Sequence, residues 1–162
     1  MNFNVKEIFI TGHRPDKLGG YNPSPKQDWV RDSLRTAFDT IKPTAIITGM
    51  ALGVDQWAAE IAIQRGIPFI AAVPFVGQEH MWRIECREHY HRLLAQAKET
   101  VIVCPGVYEV WKMQKRNEYM VDRGDLGVAV WDGSEGGTAN CVKYALKKNK
   151  PIVQIFPGDF RP

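Results

Sequence analysis

From Leu126 to Leu146 the chain passes from an apolar run, through a turn dense in glycine, directly into a helical pattern. Leu126 to Trp131 is apolar enough for a buried strand, and Thr138, Cys141, Val142, Ala145 and Leu146 fall on one helical stripe. The loop Trp131-Asp132-Gly133-Ser134-Glu135-Gly136-Gly137-Thr138-Ala139-Asn140 therefore joins the end of a strand to the start of a helix. A turn of this kind aims free backbone N–H groups and the positive end of a helix dipole at one point, where an anion is stabilised. Glycine suits it because side chains keep a phosphate off the amides, and because such turns often demand positive φ. Taken alone the pattern is unspecific, since Gly-Gly-Thr also serves tight turning and capping.

The same succession recurs along the chain. Lys6 to Thr11 reads as a short strand ending in Gly12, followed by a stretch to Tyr21 too rich in Gly and Pro to be regular. Ser24 before Pro25 is an N-cap with proline at the first helical position. The helix it starts carries Trp29, Leu34, Ala37, Phe38 and Ile41, and Pro43 stops it. Ala45 to Thr48 forms a second strand, leading through Gly49-Met50-Ala51-Leu52-Gly53-Val54-Asp55 into a helix with Val54, Trp57, Ala58, Ile61 and Ala62 on one face. Phe69 to Val73 is a third strand. A long helix is expected from about Gln78 to Lys98, with Trp82, Cys86, His89, Leu93 and Ala97 in register. Val101 to Cys104 is a fourth strand, and a helix from near Glu109 to Val121 leads to the fifth strand, the glycine loop and the last helix. Ile152 to Ile155 is the sixth strand.

Short apolar strands alternating with helices imply an α/β fold: a doubly wound, mostly parallel sheet of about six strands with helices on both faces. With 162 residues, 44% of them hydrophobic and 24% charged, residues 1–162 form a single domain with a continuous core. The net charge of +3 permits a nucleic-acid partner without arguing for one. No apolar run approaches the ~20 residues of a membrane span, and the start lacks the layout of a signal peptide. Cys86, Cys104 and Cys141 are odd in number and lack metal spacing, which fits a reduced, cytoplasmic setting. His89 and His91 point to different faces of a helix, so no metal site is expected.

In an open parallel sheet, ligands bind beyond the carboxyl ends of the strands, where strand order reverses. Three turns lie at that edge: Gly12 to Tyr21, Gly49 to Asp55 and Asp132 to Asn140. Their small residues, Gly12, Gly49, Ala51, Gly53, Gly136, Gly137 and Thr138, describe a floor open to close backbone approach by a polar, phosphate-bearing ligand. Arg14 can clamp a phosphate with its planar fork and His13 can donate a hydrogen bond or move a proton; alternatively both hold an irregular loop in place. Lys17 reads as a solvated loop lysine. Asp55, in the first turn of a helix, either interacts with the dipole or accepts ribose hydroxyls. On the helix before strand five, Met113, Asn117, Met120 and Val121 make an inward stripe bordered by Arg116. A polar Asn117 there is costly unless paired, so Arg116 and Asn117 either reach a ligand or tie down a neighbouring loop. Cys141 reads as a packed core thiol, and Asp122 and Asp125 as caps and turn-formers.

Three ordered motifs, TGHRPDKLGGY, TGMALGVDQWAAE and KRNEYMVDRGDLGVAVWDGSEGGTAN, together resemble the YpsA-like branch of the SLOG superfamily. That superfamily groups the DNA-processing protein Smf/DprA with the LOG phosphoribohydrolases. The resemblance runs from Ile10 to about Tyr144. It implies a Rossmann-like sheet, a pocket for a nucleotide or nucleotide-derived ligand to which Asn140 contributes, and a homodimer. LOG enzymes cleave the N-glycosidic bond of cytokinin ribotides. Their Arg-Lys pair matches Arg116-Asn117, which keeps the arginine alone. The terminal glutamate of their PGGxGTxxE loop falls at Cys141, and a thiol cannot replace a carboxylate that stabilises an oxocarbenium-like centre. Glu118 or Glu135 are the candidate substitutes, and Arg116 and Glu118 the candidate catalytic residues. The reading is thus a sensor or adaptor domain for a nucleotide-type small molecule, requiring no cofactor. The alternatives are a nucleotide N-glycosidic hydrolase or transferase, and a DNA-binding protein of the DNA-processing type.

Overall fold

The computed structural model describes residues 7–162. Six strands and five helices follow in the order β1 (Glu7–Gly12), α1 (Pro25–Ile41), β2 (Ala45–Thr48), α2 (Val54–Arg65), β3 (Phe69–Val73), α3 (Ile84–Leu94), β4 (Glu99–Ile102), α4 (Trp111–Arg123), β5 (Leu126–Val130), α5 (Gly137–Lys147) and β6 (Ile152–Ile155). All neighbouring strands are parallel, in the order β4-β3-β2-β1-β5-β6. The expected α/β sheet is therefore present, and wholly parallel. Lys6, expected to open the first strand, lies outside the described residues.

Alternation along the strands sends side chains to two cores. Ile8 and Ile10 of β1 pack with α1, α2 and α3 on one face, together with Leu34, Phe38, Ile61 and Tyr90. Phe9 faces the other way, into a smaller core with Met120 and Val121 of α4 and Cys141 and Ala145 of α5. Helices thus cover both faces, as a parallel sheet buried on two sides requires. The chain builds β1 to β4 outward to one edge, and α4 then returns it to β5 beside β1. Strand order reverses between β1 and β5, so the turns leaving them diverge and open a crevice.

Local chemistry explains most element boundaries. The Ser24 hydroxyl accepts the Gln27 N–H at 3.2 Å and caps α1, and Lys42 leaves the helix in the left-handed region just ahead of Pro43. α2 is buried on nearly every side from Val54 to Ala62, because it lies on the sheet with α1 and α3 flanking it. Glu60, half-buried between the flanking helices, receives Arg31 of α1 at 2.6 Å and His89 of α3 at 2.7 Å.

Four expectations need correction. The helix anticipated from Gln78 to Lys98 is only Ile84–Leu94. Gln78 is instead buried across the sheet end, where its Nε2 donates to the Gly49 carbonyl and the Tyr90 hydroxyl, and residues 77–82 make successive turns. Trp82 reaches the core from that turn, edge-on to Tyr90 at 5.4 Å. The fourth strand is Glu99–Ile102 and not Val101–Cys104, because an edge strand tolerates the exposed Glu99 and Thr100 that hid its start. On α4 the buried positions are Lys112, Arg116, Met120 and Val121, so Arg116 sits within the inward stripe and Asn117 borders it. Leu146, placed on the inward stripe of α5, is 61% exposed. Among the described residues no helix is long and apolar enough to cross a membrane.

Candidate functional site

The crevice between the β1 and β5 turns holds a cleft of about 370 Å³. One wall comes from the exit of β1: Thr11, Gly12, His13, Arg14, Asp16 and Lys17. Ala51 and Asp55 enter from the start of α2, and Met113, Arg116 and Asn117 from α4. Ser134 to Ala139, the glycine loop and first turn of α5, complete it. The three turns expected at this edge therefore meet.

The glycine loop is held from both ends. Trp131 Nε1 donates to the Ser134 carbonyl at 2.8 Å, and the Ser134 N–H and hydroxyl both donate to Asp132 Oδ1. Those two bonds, with His13 nearby, hold the Asp132 carboxyl well below the usual carboxylate range. His13 is itself buried, and its Nε2 accepts the Asp132 N–H at 3.1 Å. Of the two readings of His13, the loop-fastening contact is thus made within the protein. Gly136 then turns at φ 142°, and α5 opens without a side-chain cap. A Cβ built at Gly136 or Gly137 meets nothing within 4 Å, so these glycines leave the first amides of α5 bare to the cleft.

Gly12 and Gly53 serve packing. A Cβ on Gly12 would lie 2.6 Å from Val54 Cγ1, and one on Gly53, at φ 95°, 2.7 Å from the His13 carbonyl. The absent side chains let the start of α2 dock against the exit of β1. Gly53 and Gly49 stand behind the cleft lining, and Asn140 is exposed on the outside of α5.

Arg116 is fastened from below. Its Nη1 donates to the Gly49 carbonyl at 2.6 Å and its Nε to Asn117 Oδ1 at 3.0 Å. A Cβ at Gly49 would fall 2.3 Å from Nη1, so any larger residue there displaces the guanidinium. Asn117 Nδ2 in turn donates to the Gly137 carbonyl at 3.4 Å, so α4 ties the second turn to the third. Glu118 is outside the lining, paired with Lys115 at 3.7 Å. Glu135 is on the exposed rim.

Asp55 is 8% exposed. One carboxylate oxygen, Oδ2, accepts the Ala51 N–H at 3.2 Å; Oδ1 has no hydrogen-bond partner among the described residues, and the residue lines the cleft. Burial pushes its pKa up to about 6, against the opposing pull of Arg116, the Ala51 amide and Arg14. The Arg14 guanidinium makes no hydrogen bond or ion pair with any described residue. Lys17 is not merely solvated: its Nζ donates to the Ser134 hydroxyl at 3.0 Å, joining the two diverging turns across the mouth. Nothing in the local sequence of Lys17 marks that contact, which spans 117 positions. Cys141 is fully buried behind the cleft, and burial raises its thiol to about 11, which keeps it protonated and unreactive. Among the described residues no group of three or more His, Cys, Asp or Glu side chains is placed to hold a metal ion.

The lining carries three cations (Arg14, Lys17, Arg116) and three carboxylates (Asp16, Asp55, Glu135). Net charge cannot draw an anion here. The fixed amides of α5 and the unpaired Arg14 make the attractive spot, local and directional.

Known proteins share the fold and parts of the sequence. Structurally, the chain is similar to DNA processing protein A from Helicobacter pylori, described for its single-stranded DNA binding mode, with TM-score 0.68 and 18% identity over 93% of this chain. It spans 65% of that protein. It is also similar to the molybdenum cofactor binding protein of Rippkaea orientalis, with TM-score 0.59 and 19% identity over 94% of this chain and 77% of that one. By sequence it is 41% identical to the SPbeta prophage-derived protein YoqJ of Bacillus subtilis over 117 residues, 62% of this chain and 68% of that protein. A UPF0398 protein of Bacillus thuringiensis is 29% identical over 91% of this chain and 86% of its own length. The YpsA model, described as the YspA SLOG family, matches residues 8–157, and the chain belongs to that family.

Proposed function

We propose that the domain binds a nucleotide or nucleotide-derived small molecule in this cleft, as a sensor or adaptor, with the ligand's phosphate at the first turn of α5. The observation that carries the reading is the uncapped start of α5. Gly136 and Gly137 put no atom between its amides and the cleft, and the Arg14 guanidinium is left unpaired at the same site. Anions are stabilised at such a terminus by oriented N–H groups and the dipole together. A nucleoside monophosphate is the size of ligand a cleft of this volume can enclose. The test is thermal unfolding with AMP, cyclic AMP, NAD and ADP-ribose, alongside mass spectrometry of small molecules released by denaturing freshly purified protein. Saturation at ~100-fold over the dissociation constant stabilises the fold by about 2.7 kcal/mol. No shift with any of the four and no released nucleotide refutes the proposal.

A second reading, cleavage or transfer at an N-glycosidic bond, is favoured by one observation. Asp55 is a buried carboxyl in the cleft that titrates near neutrality, the property expected of an acid or base. Its test is release of free base from nucleoside monophosphates at high protein concentration, and no release rejects it.

A further inference from the structure

We propose that Asp55 sets the ligand's sugar: the cleft takes ribonucleotides, with ribose hydroxyls donating to Asp55 Oδ1, and rejects nucleotides that lack those hydroxyls. This rests on the reading of the cleft as a nucleotide pocket. The two ends of the cleft differ in chemistry. At the α5 end the free groups are donors, the bare amides beside Gly136 and Gly137. At the α2 end the free group is an acceptor: Asp55 lines the cleft, held through Oδ2 by the Ala51 N–H, and its Oδ1 has no hydrogen-bond partner among the described residues. Since α2 and α5 lie on opposite faces of the sheet, the two ends are opposite walls of the crevice.

A ligand spanning these walls needs an anion on one side and hydrogen-bond donors on the other. A second phosphate at Asp55 is excluded by like charge. Neither of the two arginines that act on Asp55 through space hydrogen-bonds its carboxylate: Arg116 donates to Gly49, Ala72 and Asn117, and Arg14 to no described residue. Ribose hydroxyls are donors that a 5′-nucleotide carries apart from its phosphate. A sugar without them would close over Oδ1 and leave a nearly buried carboxylate oxygen with neither water nor donor. A site built to bond a hydroxyl discriminates against its absence far more strongly than an apolar site discriminates by shape. The selectivity therefore comes from the unmet acceptor as much as from the bond gained.

The test is calorimetric titration of the intact protein with the 5′-monophosphates of adenosine, guanosine, cytidine and uridine, each beside its 2′,3′-dideoxy counterpart. The expected result is at least tenfold tighter binding of the ribonucleotide, for whichever base binds best. Asp55→Asn, which keeps an oxygen for the Ala51 N–H but presents an amide or a neutral oxygen to the sugar, should reduce that ratio at least threefold while phosphate-dependent binding persists. Equal binding of ribo- and dideoxynucleotides by the unsubstituted protein overturns this inference and leaves the nucleotide pocket standing. Full selectivity retained in Asp55→Asn also overturns it, assigning the sugar contact elsewhere. Binding of none of the eight compounds overturns the pocket itself.

Discussion

Replacing Asp55 by asparagine should make this protein more stable at neutral pH. The carboxyl is buried with one oxygen bonded to a backbone N–H and the other unpaired, and burial raises its pKa from an ordinary 3.8 to about 6. The folded chain therefore holds this proton more tightly than the unfolded chain. What Asp55 contributes to stability is complete below pH 3.8 and is lost as pH rises through 6. At ~1.36 kcal/mol for each pH unit between the two values, the ionised carboxylate costs the fold about 3 kcal/mol at pH 7 and about 1 kcal/mol at pH 4.5. Asparagine keeps an acceptor for Ala51 and carries no charge to desolvate, so it stands in for the protonated acid. Urea unfolding at pH 4.5, 5.5, 6.5 and 7.5 reads the difference directly. In a domain this size it should also appear as a rise of roughly 6–12 °C in the melting midpoint at pH 7. A gain of the same size at pH 4.5 and pH 7.5, or a loss at pH 7, refutes the reasoning.

Three further substitutions separate the site from the scaffold. Gly137→Ala meets no atom within 4 Å and needs no positive φ, so urea unfolding should show stability within ~0.5 kcal/mol of the original or above it. Nucleotide affinity, measured by calorimetry, should nevertheless fall at least tenfold, because the new methyl stands before the α5 amides. Arg116→Met removes the charged donor to the Gly49 carbonyl and to Asn117 Oδ1, leaving Gln78 as the carbonyl's remaining donor, and also removes the countercharge of Asp55; it should cost ~1–3 kcal/mol in urea unfolding. The same change should move the Asp55 titration, followed by carboxyl NMR shifts, further upward from about 6. Ser24→Ala deletes the α1 cap and should cost ~1 kcal/mol of stability with ligand affinity unchanged, which calibrates how far a purely structural loss reaches the cleft.

The alternation of short apolar strands with helices was enough to determine a parallel sheet covered on both faces, because a strand buried on two sides must be apolar throughout. It also located the edge where the three glycine turns meet, since parallel connections bring every strand-to-helix turn to one end. Ser24-Pro25 marked the start of α1 for the local reason that cap and first-turn geometry involve only neighbouring residues. Tertiary structure decided the matters that depend on distant partners. Gln78 was pulled out of helix α3 by the Gly49 carbonyl and Tyr90, contacts no local propensity encodes. Arg116 looked like a border residue and is buried, because its guanidinium donates to the Gly49 carbonyl, 67 positions away, at the end of β2. Glycines of like composition took unlike tasks: Gly136 and Gly137 open the cleft, while Gly12, Gly49 and Gly53 let distant atoms approach. Asp55 carried its identity in the sequence, but its desolvation, and with it its proton affinity and its unmet acceptor, exists only once α2, α4 and the first turn close around it.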